Sequence, residues 1–430
     1  MKRSIITILA IAVLSTSCLK LDFYPHNALS RYDIGEDDIE LMWYGLYNCS
    51  QYKPGTDGYY YCDIIGGDVV RVGGSSAGLT PQLMIKDLVH PGSGFVNSPW
   101  TNYYAWLYQV NCFIASAEKL GSGPDVDRYL GTGYFFRGLI YYNLVTKWRE
   151  VPVLREPTND PVAKSSESDC WAFVEENLKD AVSLLGDYGG DNTYLSRQAA
   201  QALLARTYLA EGKYKEAAET AEAVITSGYF ALDTYKNIWN ETSNREVIFA
   251  YANISADENG VIMSNVFRGA PTYVPTTDFE SQVTTSDERY PFLAYADGQY
   301  VTANKYNTYG GYDPIVIARL SEMYLISAEG RGRTDGLSRL NDLRTFRGLS
   351  AYDGFSSDEA FLDAILAERR VELIQEGFRW FDLVRTGKYT STLGLGEQYC
   401  VLPVPETQIE RSKGVLVQNP LWVVSNEQNQ

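Results

Sequence analysis

Glu368 and Asp382, near the carboxy terminus, are the first candidates for chemistry in this sequence. A facing pair of carboxylates can donate and accept protons in a hydrolysis. Their neighbours point to another use. Glu368, Arg369, Arg370, Glu372 and Glu376 fall among Leu366, Val371, Leu373 and Ile374 with helical spacing. Gly377 is placed to end that helix, and Arg379, Trp380, Phe381, Asp382 and Arg385 follow. Every acid here has an arginine within helical reach, so the stretch reads as a partly buried ion network bracing the end of the chain. Trp380 and Phe381 read as core, and replacing Glu368 or Asp382 is expected to lower stability rather than a rate. Metal chemistry has little material. No two cysteines form a CxxC pair and the only histidines are His26 and His90, so no metal site and no cofactor are expected.

A third reactive position is Cys18. Lys2 and Arg3 precede an apolar run from Ile5 to Leu14, too short to span ~30 Å of hydrocarbon. Ser15, Thr16 and Ser17 then lead to the cysteine. Residues 1–17 read as a lipoprotein signal peptide and Cys18 as the residue that carries the lipid, although Leu14 stands four residues before it rather than three. The alternative is an ordinary secretory signal followed by an unrelated cysteine. Loss of residues 1–17 removes Lys2 and Arg3 and no acid, leaving 35 basic against 54 acidic side chains, a net charge of −19. So acidic a chain is a poor partner for nucleic acid or anionic lipid. No later run is long and apolar enough for a transmembrane helix. The reading is a protein anchored to a membrane through lipid without spanning it. Five further cysteines, Cys49, Cys62, Cys112, Cys170 and Cys400, make an odd set, so at least one is free or pairs outside the chain.

The elements that must position these residues are mainly helical. Residues 18–35 read as a tether. Asp37–Asn48, Trp100–Leu120, Asp127–Lys147 and Ser168–Leu185 carry helical periods. Residues 51–100 are rich in Gly, Pro and Tyr and read as loop, and Val151–Pro161 holds three prolines and must be extended. The clearest unit is 196–227. Ala205, Tyr208 and Leu209 line one helix, Gly212 makes the turn, and Ala217, Ala221, Val224 and Ile225 line a second. This is the tetratricopeptide pattern, whose helix pairs bury their faces only by stacking on neighbours. Ile315–Arg333 with Leu337–Arg347 reads as another pair. Residues 252–312 have no sustained period, yet 273–312 contain seven tyrosines, which argues against disorder. The fold class is mainly α, with tetratricopeptide-like helix pairs as a scaffold, long irregular loops and few short strands.

Four blocks resemble the SusD/RagB family of nutrient-uptake outer-membrane lipoproteins in order and spacing. They are Gly133–Leu154, with Arg149-Glu150 where the family has Gly-Asp; the 196–227 pair; Lys305-Tyr306 with Asp313–Gly330 and Leu340–Leu349; and Ala367–Tyr389 with Leu402–Pro405 and Gln418–Pro420. The resemblance implies a single SusD-like domain over 18–430, with its carboxy-terminal motif over 358–430. It implies a non-catalytic protein at the outer membrane, facing the cell exterior. Such a protein captures oligosaccharide and passes it to a TonB-dependent, SusC-like transporter. Peptide binding within the same family is the alternative, and a surface glycoside hydrolase a remoter one. A structural lipoprotein that holds other proteins on its repeats is a further class.

Sugars are recognised by aromatic faces flanked by polar groups. The chain has 33 Tyr against 16 Phe, and the irregular segments supply Tyr59, Tyr60, Tyr61, Asp68 and Arg71, then Asn102, then Tyr273, Tyr295, Tyr300 and Tyr309 as candidate ligand-binding residues. Each ring taken singly is more often packing than a ligand platform. Trp100, Tyr104 and Asn111 match the family pattern of a structural helix, so Trp100 reads as core.

Overall fold

The computed structural model describes residues 36–72, 78–240, 244–253, 267, 273–293, 295–297, 300–302, 305–306 and 313–423. The architecture is helical. In chain order the main helices are α1 (Glu36–Ile65), α2 (Pro81–Leu88), α3 (Gly94–Ala117), α4 (Pro124–Trp148), α5 (Glu167–Leu184), α6 (Arg197–Ala210), α7 (Tyr214–Ile225), α8 (Leu320–Asp335), α9 (Leu337–Phe346), α10 (Asp358–Glu372) and α11 (Arg379–Arg385). From α3 to α9 each packs against the next, and α10 lies back on α8. That is the stacked-pair scaffold expected from the sequence.

Local signals set the ends. Ser166, Ser196 and Ser357 each accept a hydrogen bond from a backbone N–H in the first turn of α5, α6 and α10. Gly212 turns the chain between α6 and α7 with φ +73°. The faces expected to pack do so: Ala205, Tyr208, Leu209, Ala217, Ala221 and Val224 are all buried. Arg206 ties this pair to α8, its guanidinium donating to both Glu322 oxygens at 2.7 Å and to the Ile317 carbonyl at 2.6 Å. A separate apolar cluster of Leu325, Leu340, Leu343, Phe361 and Ile365 fastens α8, α9 and α10 together.

Helix α7 approaches α8 so closely that a Cβ on Gly330 would lie 2.4 Å from the Tyr214 carbonyl oxygen. Backbone cannot yield as a side chain can, so Gly330→Val should cost about 1–3 kcal/mol by overpacking. A melting temperature equal to that of the wild type would show that the two helices slide apart freely.

The structure corrects three expectations. Residues 51–65 are helix, not loop: α1 runs through Pro54 and Gly55 to Ile65. Ile315–Arg319 is strand, not the first turn of a helix, and pairs antiparallel with Val247–Tyr251. Helix α10 ends at Glu372, so Glu376 lies beyond it, in a turn that carries Gln375 and Gly377 at positive φ. At the Arg149-Glu150 variation, Arg149 itself takes φ +61°, a conformation glycine adopts freely and arginine rarely does.

Among the described residues the strands form three two-stranded antiparallel sheets. β1 (Val69–Arg71) pairs with β3 (Tyr273–Pro275), β2 (Val247–Tyr251) with β6 (Ile315–Arg319), and β4 (Tyr295–Asp297) with β5 (Tyr300–Thr302). The five cysteines from Cys49 onward are all free thiols. No described helix is long and apolar enough to cross a membrane. The proposed lipid site Cys18, the tether and the signal peptide lie outside the described residues.

Candidate functional site

The carboxy-terminal acids meet arginines from far along the chain. Glu372, fully buried, pairs with Arg289 at 2.7 Å, Arg319 at 2.5 Å and Arg347 at 2.8 Å. Glu368 pairs with Arg289 and Arg344, each at 2.7 Å, and Glu376 with Arg319 at 2.8 Å and Lys305 at 2.5 Å. Asp382 sits between Arg369 and Arg385, each at 2.8 Å. Burial opposes the charge on Glu372, yet Arg347, Arg319 and Arg289 outweigh it and hold the carboxyl well below the usual range. Burial likewise opposes charge on Asp382, and Arg369 and Arg385 outweigh it. Burial lowers Lys305 to about 8 in spite of Glu376. Carboxylates enclosed in this way have no open face for a substrate. Glu368 and Asp382 therefore brace the fold, as the sequence favoured.

An open site lies at the small sheets. The β1–β3 ladder sets Arg71 directly opposite Tyr273. β5, which contains Tyr300, lies against β3, and Tyr295 stands opposite Thr302 in the β4–β5 ladder. Two segments about two hundred residues apart are thereby joined, and the link continues beyond the ladder where Thr276 N–H donates to the Asp68 carbonyl at 2.8 Å. The half-buried Arg71 makes no described ion pair, and its Nε, buried, has no hydrogen-bond acceptor. A buried donor without an acceptor costs the fold its desolvation energy.

Beside this ladder is a cavity of about 810 Å³, lined by Asp68, Val70, Gln82, Val274, Thr277 and Arg370 among others. Arg370 spans its wall, donating to Asp68 at 2.6 Å and to the exposed Asp278 at 2.6 Å. Burial disfavours the Arg370 charge, but Asp68 and Asp278 more than offset it and raise its affinity for the proton.

The other candidates divide. Tyr61 is buried, stacked on Phe95 with ring centroids 3.9 Å apart, so it offers no platform. Asp68 is 1% exposed and committed to Arg370, with Arg379 at 3.4 Å, so its carboxylate is structural although it borders the cavity. Both are corrections. Alternation along helix and strand could not tell these side chains from exposed neighbours. Asn102 is half-buried on α3 and does not line the cavity. Tyr59 and Tyr60 fall in the last turns of α1, but their side chains lie outside the described residues, as do those of Tyr295 and Tyr300 and the whole of Tyr309. Trp100 is core, edge-on to Trp148 at 5.1 Å. Sequence reasoning missed Gln82, Thr277 and Arg370 as cavity-lining residues; Arg370 was visible only as one charge in a charged helix.

Comparison with known proteins fits this geometry. The family model described as "SusD family" matches residues 176–399, and one described as "Starch-binding associating with outer membrane" matches 43–209. A SusD-like protein of Formosa agariphila is 22% identical over 90% of this chain and 91% of its own length. A SusD superfamily protein from Bacteroides thetaiotaomicron superposes with a TM-score of 0.77 at 24% identity, over 90% of this chain and 100% of that one. A structure described as a laminarin-binding SusD-like protein gives 0.75 at 20% identity, over 90% and 99%. With one family model covering more than half of the sequence and the same helical scaffold in the structure, the chain belongs to the SusD family.

Proposed function

We propose that this protein is a cell-surface lipoprotein that binds glycan without turning it over and passes oligosaccharide to a TonB-dependent, SusC-like transporter in the outer membrane. The observation that carries the reading is the meeting of Arg71 and Tyr273 across the β1–β3 ladder, with β5 and its Tyr300 alongside. The cavity takes Val70 and Val274 from these strands, so by alternation Arg71 and Tyr273 stand on the other face of the ladder; there a planar cation and a ring suit a sugar, the ring taking the C–H face and the guanidinium the hydroxyls. Family membership supports the reading, through the starch-binding description of one matching model and the laminarin-binding description of one structural neighbour. The candidates with undescribed side chains, Tyr59, Tyr60, Tyr295, Tyr300 and Tyr309, belong to this site in the proposal.

The test is a thermal-shift and turnover screen with maltohexaose and laminarihexaose. Binding stabilises by RT ln(1 + [L]/Kd), so a saturating sugar at a hundred times Kd should add about 2.7 kcal/mol. Release of shorter products would replace the binding reading with a hydrolase. Anchoring is tested separately. Cys18→Ala should leave the protein soluble or uncleaved, since each buried CH₂ of an acyl chain contributes ~0.8 kcal/mol to attachment. If a lipid probe fed to the cells fails to label the wild type, the anchor assignment is lost. Gentle detergent extraction should bring a large barrel protein with this chain, and recovery of monomer alone would remove the transporter from the proposal.

A further inference from the structure

We infer that the groove between α3 and the proline-bearing segment 151–162 is a second oligosaccharide-binding site. The inference rests on the reading of the chain as a glycan binder. The groove encloses about 630 Å³ and shares no lining residue with the cavity at β1–β3.

Its walls are preformed. Tyr104 Oη donates to the Pro152 carbonyl at 3.0 Å, and Asn111 Nδ2 to the Leu154 carbonyl at 3.0 Å, which hold the extended segment on the helix. The Leu154 N–H donates to Tyr141 Oη at 2.6 Å. On the far side Gln408 Nε2 donates to Asn97 Oδ1 at 3.2 Å and to Thr101 Oγ1 at 3.3 Å. A ligand entering here has little protein left to order, which lowers the entropic cost of binding.

The lining is unspent. Thr101, Ala105 and Tyr108 share one face of α3 at i, i+4 and i+7, and the half-buried Tyr108 borders the groove between Tyr104 and Asn111, its neighbours at i−4 and i+3. Among the described residues, the side chains of Tyr108, Gln109, Asn159 and Arg411 and the Asp160 carboxylate make no hydrogen bond or ion pair, while all of them line the groove. One ring, two amides, a carboxylate and a guanidinium form a mixed set of donors and acceptors, the kind that sugar hydroxyls engage.

Other occupants fit less well. Pro152, Pro157 and Pro161 have no N–H, so the segment cannot offer the ladder that an added peptide strand requires. A polyanion would meet Glu156 and Asp160 on a chain of net charge −17. Two sites on one molecule let a long glycan bind more tightly than either site alone allows.

The experiment is calorimetry on the full chain purified from membranes in mild detergent, with maltohexaose and laminarihexaose as probes. Two molecules of the bound hexaose are expected per chain. Tyr108→Ala, and separately the pair Asn159→Ala with Asp160→Ala, should reduce this to one and weaken binding of the parent polysaccharide at least tenfold. Asn159 and Asp160 are exposed, so their replacement cannot act through unfolding. Arg71→Ala with Tyr273→Ala should remove the other molecule and leave the groove loaded. One molecule per chain, lost with Arg71 and Tyr273 and unmoved by the groove variants, would overturn the second site and leave the proposed function standing. If neither hexaose binds, the glycan reading falls and the groove with it.

Discussion

Glu372→Ala should be the most destabilising single change in this protein, at about 3–5 kcal/mol, because it strips a buried carboxylate from Arg289, Arg319 and Arg347 together. Those guanidiniums are about 1% exposed or less, and no water replaces the lost partner. Glu372→Gln keeps the shape and some hydrogen bonds but not the charge, and should fall between. Glu359→Gln, on a side chain 80% exposed, should change nothing measurable. The same network sets the response to acid. Glu372, Glu376 and Asp382 are all held below their ordinary values in the fold, because nearby cations outweigh burial. A depressed carboxyl contributes stability that is present above its unfolded value, near ~4, and is lost as pH falls through the folded one. Asp63 works in the opposite sense, since burial and then Asp68 raise it well above the usual range. Beyond the network, Glu175, Glu176, Glu222 and Asp233 are also depressed, against Asp180, Glu211, Glu280 and Glu288 raised; with Glu372 held farthest down, the melting temperature should fall below about pH 4. A flat profile from pH 6 to pH 3, or a fully stable Glu372→Ala, would show that the network contributes nothing to the fold.

Arg71→Ala and Tyr273→Ala should each weaken glycan binding about tenfold or more, near 1.4 kcal/mol, with little change in melting temperature. Arg71 is half-buried and makes no ion pair among the described residues, and the Tyr273 ring is half-buried. Tyr61→Ala is the matched contrast. Its ring is packed on Phe95 in the core, so its loss should lower stability by about 3–5 kcal/mol without selectively weakening binding. Titration calorimetry beside thermal melts separates the two outcomes. If Tyr61 proved the more important for affinity, or if Arg71 and Tyr273 proved silent, the site would have to move away from the β1–β3 ladder.

Local sequence alone determined most of the helical scaffold. The helical periods and Gly212 specify α4 to α7 to within about three residues, and α3 except for its first six, because helix hydrogen bonds are local and the faces they bury repeat every three or four positions. The bracing role of Glu368 and Asp382 was also legible, since arginines crowd the same segment. Local signals failed where a neighbour in space overrode them. Pro54 and Gly55 read as a turn but sit inside α1. Ile315–Arg319 reads as the start of a helix only when joined to the period that follows; its run of Ile315, Val316 and Ile317 is β-branched, and it pairs with Val247–Tyr251 as strand. Tyr61 and Asp68 stand among candidate ligand residues in the sequence, yet Phe95 and Arg370, 34 and 302 positions away, take their side chains. The partners of Glu372 come from residues 289, 319 and 347. Ion pairs and sheet ladders depend on distance through space, and only the closed chain brings such positions within 3 Å of one another.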